Sequence, residues 1–153
     1  RPFRRKDRAV ALAAPLNSQL VPHHDAGGTM STILSIDDSA QMRHIVQGAS
    51  EMLGYDFMGA PDGEAGLEIL ESHWEDVSLI MLDVNMPGIS GFEVLKRLKA
   101  DERFKPIPVI MVTTESERKS IIDAIKTGAA NYITKPFAQE ELATKMVEHL
   151  GEL

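Results

Sequence analysis

From residue 32 onward, short apolar runs alternate with stretches in which apolar residues recur every three or four positions, and this alternation repeats five times. Unbroken or period-2 apolar runs read as strands and a 3.6 period reads as a helix, so the pattern predicts five β-α units. The predicted strands are Thr32 to Ile36, Tyr55 to Ala60, Val77 to Leu82, Ile107 to Val112 and Asn131 to Thr134. The first, third and fourth are nearly continuous apolar runs, as strands covered on both faces must be. The first helix follows Ser39, a good N-cap, with Met42, Ile45, Val46, Ala49 and Leu53 on one stripe and Gly54 ending it. Asp62 caps a second helix carrying Ala65, Ile69 and Leu70; Ser90 caps a third with Phe92, Leu95 and Leu98 inward. A fourth runs from about Glu117 to Gly128 with Ile121, Ile122 and Ile125 inward, and a fifth carries Leu142, Met146 and Leu150 from an uncapped start at Ala138.

Strands alternating with helices specify an α/β domain, a doubly wound parallel sheet of five strands with helices on both faces. In such sheets ligands sit beyond the carboxyl ends of the strands, where the strand order reverses. The residues expected there are Asp37 and Asp38, then Asp83, then Thr113, then Lys135. Crowded carboxylates repel one another unless a cation neutralises them, and an all-oxygen site that leaves room for water and phosphate suits Mg2+ better than Ca2+. Lys135 offers a point charge for phosphate oxygens and Thr113 a neutral hydroxyl. Asp83 is then a candidate nucleophile that needs no general base, because an aspartate is ionised at neutral pH. Taken singly, each Asp or Thr reads as a turn or helix cap and Lys135 as a solvated side chain. Four strand ends bringing complementary groups to one edge favour the joint reading.

Composition changes this picture little. The 153 residues are 43% hydrophobic and 25% charged, which is ordinary for a globular chain of one domain. With no cysteine, disulfides, thiolate metal sites and a Cys nucleophile are excluded; a reducing, cytoplasmic location is expected. No apolar stretch approaches the about 20 residues that a membrane-spanning helix needs. Charge is divided unevenly. Residues 1–29 carry five basic and two acidic side chains, whereas residues 30–153 carry 11 basic and 21 acidic, an excess that disfavours nucleic acid as a partner. Residues 1–29 lack a sustained period and hold three prolines, so they are expected to be an unstructured or appended leader before a natural start at Met30. The domain is expected over residues 30–153.

Four segments, Ile36-Asp37-Asp38-Ser39, Leu82-Asp83-Val84-Asn85-Met86-Pro87-Gly88, Val112-Thr113-Thr114-Glu115 and Tyr132-Ile133-Thr134-Lys135-Pro136-Phe137, stand in order at domain-like spacing. Together they resemble the receiver domain of bacterial two-component response regulators, in particular the single-domain chemotaxis type (CheY-like), over residues 32–150. The resemblance implies a flavodoxin-like (βα)5 fold. It implies that Asp83 accepts a phosphoryl group from a phosphohistidine on a histidine kinase. Asp37, Asp38, Asp83 and the carbonyl of Asn85 would hold Mg2+, and Thr113 and Lys135 would contact the phosphoryl group. Thr113 and Tyr132 would then act as the switch, reshaping the face of the fourth helix, fifth strand and fifth helix. Asn85 and Glu115 would tune hydrolysis toward a short-lived phosphoryl state. Lys135-Pro136 is a position where the family commonly has a cis bond, and Gly88 and Gly91 flank a bend beside the ligand.

The function expected is therefore a phosphoacceptor switch rather than an enzyme acting on other molecules, with a protein as its downstream target. Within that class a flagellar motor switch partner and a phosphorelay or kinase-adaptor role outside chemotaxis both stay open. An Asp-nucleophile phosphatase of the haloacid-dehalogenase type needs an acid/base Asp two residues after the nucleophile, where this chain has Asn85. A flavin binder needs a Ser/Thr/Gly-rich phosphate loop after the first strand, where Asp37 and Asp38 would repel the phosphate.

Overall fold

A computed structural model describes residues 31–150, the side chains of Glu115 and Arg118 apart; the leader expected over residues 1–29 lies outside the described residues. Five strands, β1 (Thr32–Ile36), β2 (Asp56–Ala60), β3 (Val77–Asp83), β4 (Val109–Thr113) and β5 (Asn131–Thr134), form one sheet. All pairings are parallel and the order is β2-β1-β3-β4-β5, so the winding reverses between β1 and β3. The helices are α1 (Ala40–Met52), α2 (Gly63–His73), α3 (Gly91–Ala100), α4 (Ile121–Thr127) and α5 (Gln139–Val147).

Strand side chains point to alternate faces, so each central strand feeds two cores. Ile33, Leu79, Met81, Ile110 and Val112 meet α1 and α5 through Val46, Ala49, Leu142 and Met146. Leu34, Ile36, Ile80, Leu82 and Met111 meet the opposite layer through Leu70, Val94, Leu95, Leu98 and Ala124. This is why β1, β3 and β4 lack polar alternation: β1 and β4 are buried throughout, whereas the edge strands β2 and β5 each have only one buried residue.

Three expected caps form as the sequence indicates: Ser39 Oγ accepts from Met42 N at 3.1 Å, Asp62 Oδ1 from Ala65 N at 2.8 Å and Ser90 Oγ from Glu93 N at 3.2 Å. Ala138 begins α5 without a side-chain cap.

Four expectations need correction. The fourth helix begins at Ile121, not near Glu117; Glu115–Ser120 is a 3-10 turn in which Glu117 Oε1 accepts from Thr114 N at 2.8 Å. Its inner face is Ile121 and Ala124, while Ile122 and Ile125 turn outward with 65% and 44% exposure. Ile107 lies in a turn, its N–H bonded to Phe104 O, and β4 starts only after Pro108. Tyr55 precedes β2, its N–H held by Ser50 O in the turn that ends α1.

Candidate functional site

The carboxyl ends of β1, β3, β4 and β5 meet beside the reversal point, as the sheet order requires. Asp83 and Thr113 are the last residues of their strands rather than the first after them, because the ladder continues through Val84 N to Val112 O at 3.1 Å and Lys135 N to Thr113 O at 2.7 Å. Their side chains are thus anchored on rigid backbone. Just beyond Asp83 the chain doubles back, with Gly91 N bonded to Val84 O at 2.8 Å, and a Cβ at Gly91 would collide with the Asp83 carbonyl oxygen.

Asp37, Asp38 and Asp83 each present a carboxylate oxygen within 4.8 Å of the others, two of them buried and Asp38 exposed. Lys135 Nζ reaches Asp83 Oδ1 at 3.3 Å and Asp37 Oδ2 at 3.7 Å. Asp37 is further tied by Ser39 N to its Oδ1 at 2.9 Å and by Arg43 Nη1 to its backbone oxygen at 2.6 Å. Thr113 is fully buried, its hydroxyl 3.5 Å from that of Thr134. The Lys135-Pro136 bond is cis.

One ammonium against three carboxylates leaves the site short of positive charge. Burial, followed by the nearby Asp37 charge, pushes Asp83 up to about 7, and burial likewise raises Asp37. The expectation that Asp83 is simply ionised at neutral pH therefore needs a cation to hold. An all-oxygen donor set with an exposed third ligand fits a hard divalent ion that keeps waters and accepts a phosphate oxygen.

Comparison with known proteins agrees with this geometry. The family model for the response regulator receiver domain matches residues 33–147. The chain belongs to this receiver family. Among curated relatives, "Chemotaxis protein CheY1" of Helicobacter pylori is 40% identical over 120 residues, covering 78% of this chain and 96% of that protein. "Phosphate regulon transcriptional regulatory protein PhoB" of Pseudomonas aeruginosa is 39% identical over 115 residues, 75% of this chain but 49% of that longer protein. Among solved structures, the chemotaxis response regulator CheY4 of Vibrio cholerae aligns with a TM-score of 0.71 at 31% identity, over 80% of this chain and 100% of its own. The receiver fold and its acidic pocket are therefore those of a signalling switch.

Of the site residues expected from sequence, this receiver brings Asp37, Asp38, Asp83 and Lys135 together, and Thr113 ends the neighbouring strand β4 with its hydroxyl beside Thr134. Asn85 is exposed in the loop after β3. The side chain of Glu115 lies outside those described. Tyr132 is half-buried on β5, packed against the core, with Lys145 Nζ 5.7 Å from the centre of its ring. Arg43 was missed, since at the solvent border of α1 it reads as a solvated charge. Gly59, in the interior of β2, was the available signal, because a glycine there marks a close approach.

Proposed function

We propose that this protein is a phosphoacceptor response regulator in which Asp83 takes a phosphoryl group from the phosphohistidine of a histidine kinase and thereby switches a protein-binding face. The observation that carries this reading is the convergence of Asp37, Asp38 and Asp83 within 4.8 Å, with Lys135 3.3 Å from Asp83. An Asp83 carboxylate oxygen forms the new O–P bond as the P–N bond breaks, and the electron pair stays on the imidazole nitrogen. Lys135 offsets charge on the phosphoryl oxygens, and the Thr113 hydroxyl donates to one of them. Asp37, Asp38, Asp83 and the Asn85 carbonyl would hold Mg2+. Bound there, Mg2+ neutralises the carboxylates and stabilises the charge of the transferring group. Water later attacks the acyl phosphate, with Asn85 and Glu115 setting how fast, so the phosphoryl state is short-lived. The chain turns over only its own phosphoryl group and is no enzyme toward other substrates.

The output face is α4, β5 and α5. An open groove of ≈ 670 Å³ is lined there by Lys119, Ile121, Ile122, Ile125, Lys126 and Tyr132. Exposed isoleucines bordered by lysines suit a protein partner with apolar and acidic side chains. The CheY-named relatives favour a chemotaxis pathway, with the flagellar motor switch as target and the cytoplasm as location; among the described residues no helix is long and apolar enough to cross a membrane. A second reading, a receiver serving a phosphorelay or kinase adaptor outside chemotaxis, stays open because a relative of comparable identity, PhoB, is named for the phosphate regulon and not for chemotaxis.

Incubation with acetyl phosphate and Mg2+, read by intact mass, tests the core of this proposal. One phosphoryl group is gained, none without Mg2+ and none in Asp83→Asn. No gain in the native protein with Mg2+ would overturn it. Binding of the phosphorylated protein to a flagellar motor-switch protein favours the first pathway; onward transfer to a second histidine protein favours the other.

A further inference from the structure

The two carboxylates after β1 sit on a loop of three residues, Asp37 to Ser39, and a loop that short must be held from outside if both are to face one point. Its start is fixed by Asp37 N bonded to Ala60 O at 3.0 Å, its end by the Ser39 cap on Met42 N at 3.1 Å. The peptide between Asp37 and Asp38 is fixed by Arg43, whose Nη1 donates to Asp37 O at 2.6 Å. To reach that oxygen from the second turn of α1, the Arg43 stem crosses the end of β2. It does so over Gly59, where a Cβ would lie 3.2 Å from Arg43 Cδ and as close to the Phe57 ring. Gly59 is thus the gap through which the arginine passes, and it pairs in register with Ser35, two residues before Asp37.

We infer that Arg43 is a positioning residue for the cation site: through the Asp37 carbonyl, and with Gly59 making room, it sets the direction in which Asp37 and Asp38 present their carboxylates. This rests on the cation-dependent reading above. A guanidinium carries a positive charge, so its plain electrostatic effect on a nearby cation is repulsive. Positioning and electrostatics therefore predict opposite signs when Arg43 is removed.

The test is Mg2+ titration of the metal-free protein by calorimetry, in the native chain, Arg43→Met, Arg43→Lys and Gly59→Val. Met keeps the stem and loses both charge and donor; Lys keeps the charge and an N–H donor group without the planar fork; Val leaves Arg43 in place but closes its passage. Losing the group that orients a ligand typically weakens metal binding by about tenfold or more. Arg43→Met is thus expected to raise the Mg2+ Kd about tenfold, Gly59→Val to follow it and Arg43→Lys to recover most of the loss. In the metal-free state, exchange of the Ser39 amide, which is bonded to Asp37 Oδ1, is expected to quicken in Arg43→Met and Gly59→Val. A tighter or unchanged Kd in Arg43→Met would overturn the inference, as would a lowered thermal midpoint with unchanged Kd, which marks a purely structural side chain. Absence of Mg2+ binding in the native protein overturns the cation-dependent reading itself and this inference with it, an outcome distinct from the variants' behaviour.

Discussion

Asp83 is 3% exposed, shares its pocket with Asp37, and has one ammonium in contact. Without a cation it and Asp37 both hold protons that the unfolded chain has released, between the ordinary carboxylate value of 3.8 and about 7 for Asp83. The folded state then binds more protons than the unfolded state across that window, so these two groups make stability fall as pH rises toward 7 and level off above it. Glu71 and Asp101, both held below the usual carboxylate range by hydrogen bonds from Arg103, act in the opposite sense, but only at more acid pH. From pH 5.5 to 8 the metal-free protein is therefore expected to lose thermal stability as pH rises. Asp83→Asn removes most of that slope and raises the midpoint at pH 8 by about 3–6 °C. Saturating Mg2+ has the same effect on the native chain. Calorimetric melts at several pH values check this, and an unchanged slope in Asp83→Asn would refute it.

Among elements, α5 begins without a capping side chain. Ala138 has the extended backbone of a cap, φ −87° and ψ 157°, but no side-chain oxygen to accept the first amides. Ala138→Ser is therefore expected to stabilise the fold by about 1 kcal/mol, read as a shift in the denaturant midpoint at constant m. That defect was legible in sequence, as were the caps at Ser39, Asp62 and Ser90, because a cap needs a particular side chain at one position. The strands buried on both sides, β1, β3 and β4, were equally legible, since strands covered on both faces of a parallel sheet read as short unbroken apolar runs between turn residues. The orientation of α4 was not. Its inner face carries Ala124, while Ile122 and Ile125 face outward, and apolar spacing alone does not distinguish a stripe that meets the core from one that awaits a partner. Ile107 misled for a related reason: it is buried and β-branched, but Pro106 and Pro108 deny the flanking positions an N–H for the ladder. At the site, strand ends announced Asp37, Asp83, Thr113 and Lys135. Arg43 acts across α1 and β2, a contact that only the fold creates.

Across the whole molecule, one sheet serves two cores and also runs from the proposed phosphoryl site to the groove beside α4. Thr113 ends β4 with its hydroxyl beside Thr134, and Lys135 N is bonded to its carbonyl, so β4 and β5 are tied at the site itself. Tyr132 lies three residues back along β5 and lines the groove that α4 opens to solvent. A phosphoryl group on Asp83 adds negative charge among buried side chains, and Thr113 is the buried neutral donor at that strand end able to move toward it. If that movement vacates space beside Tyr132, the populations of its rotamers shift, and α4 shifts with them. Thr113→Val keeps the side-chain volume and removes the donor. It is still expected to be phosphorylated by acetyl phosphate, since Asp83, Lys135 and the carboxylates are untouched, but to a lower extent for want of the donor to the phosphoryl oxygens, so exchange is compared at equal phosphorylated fraction. Amide exchange across Ile121–Thr127, altered on phosphorylation of the native protein, is expected to stay constant in Thr113→Val. The coupling is reciprocal by necessity, so a partner that binds the altered face must also favour the phosphorylated state in the native protein, and must lose that effect in the variant. Exchange in α4 that responds equally in both proteins would mean that the signal travels by another route than Thr113.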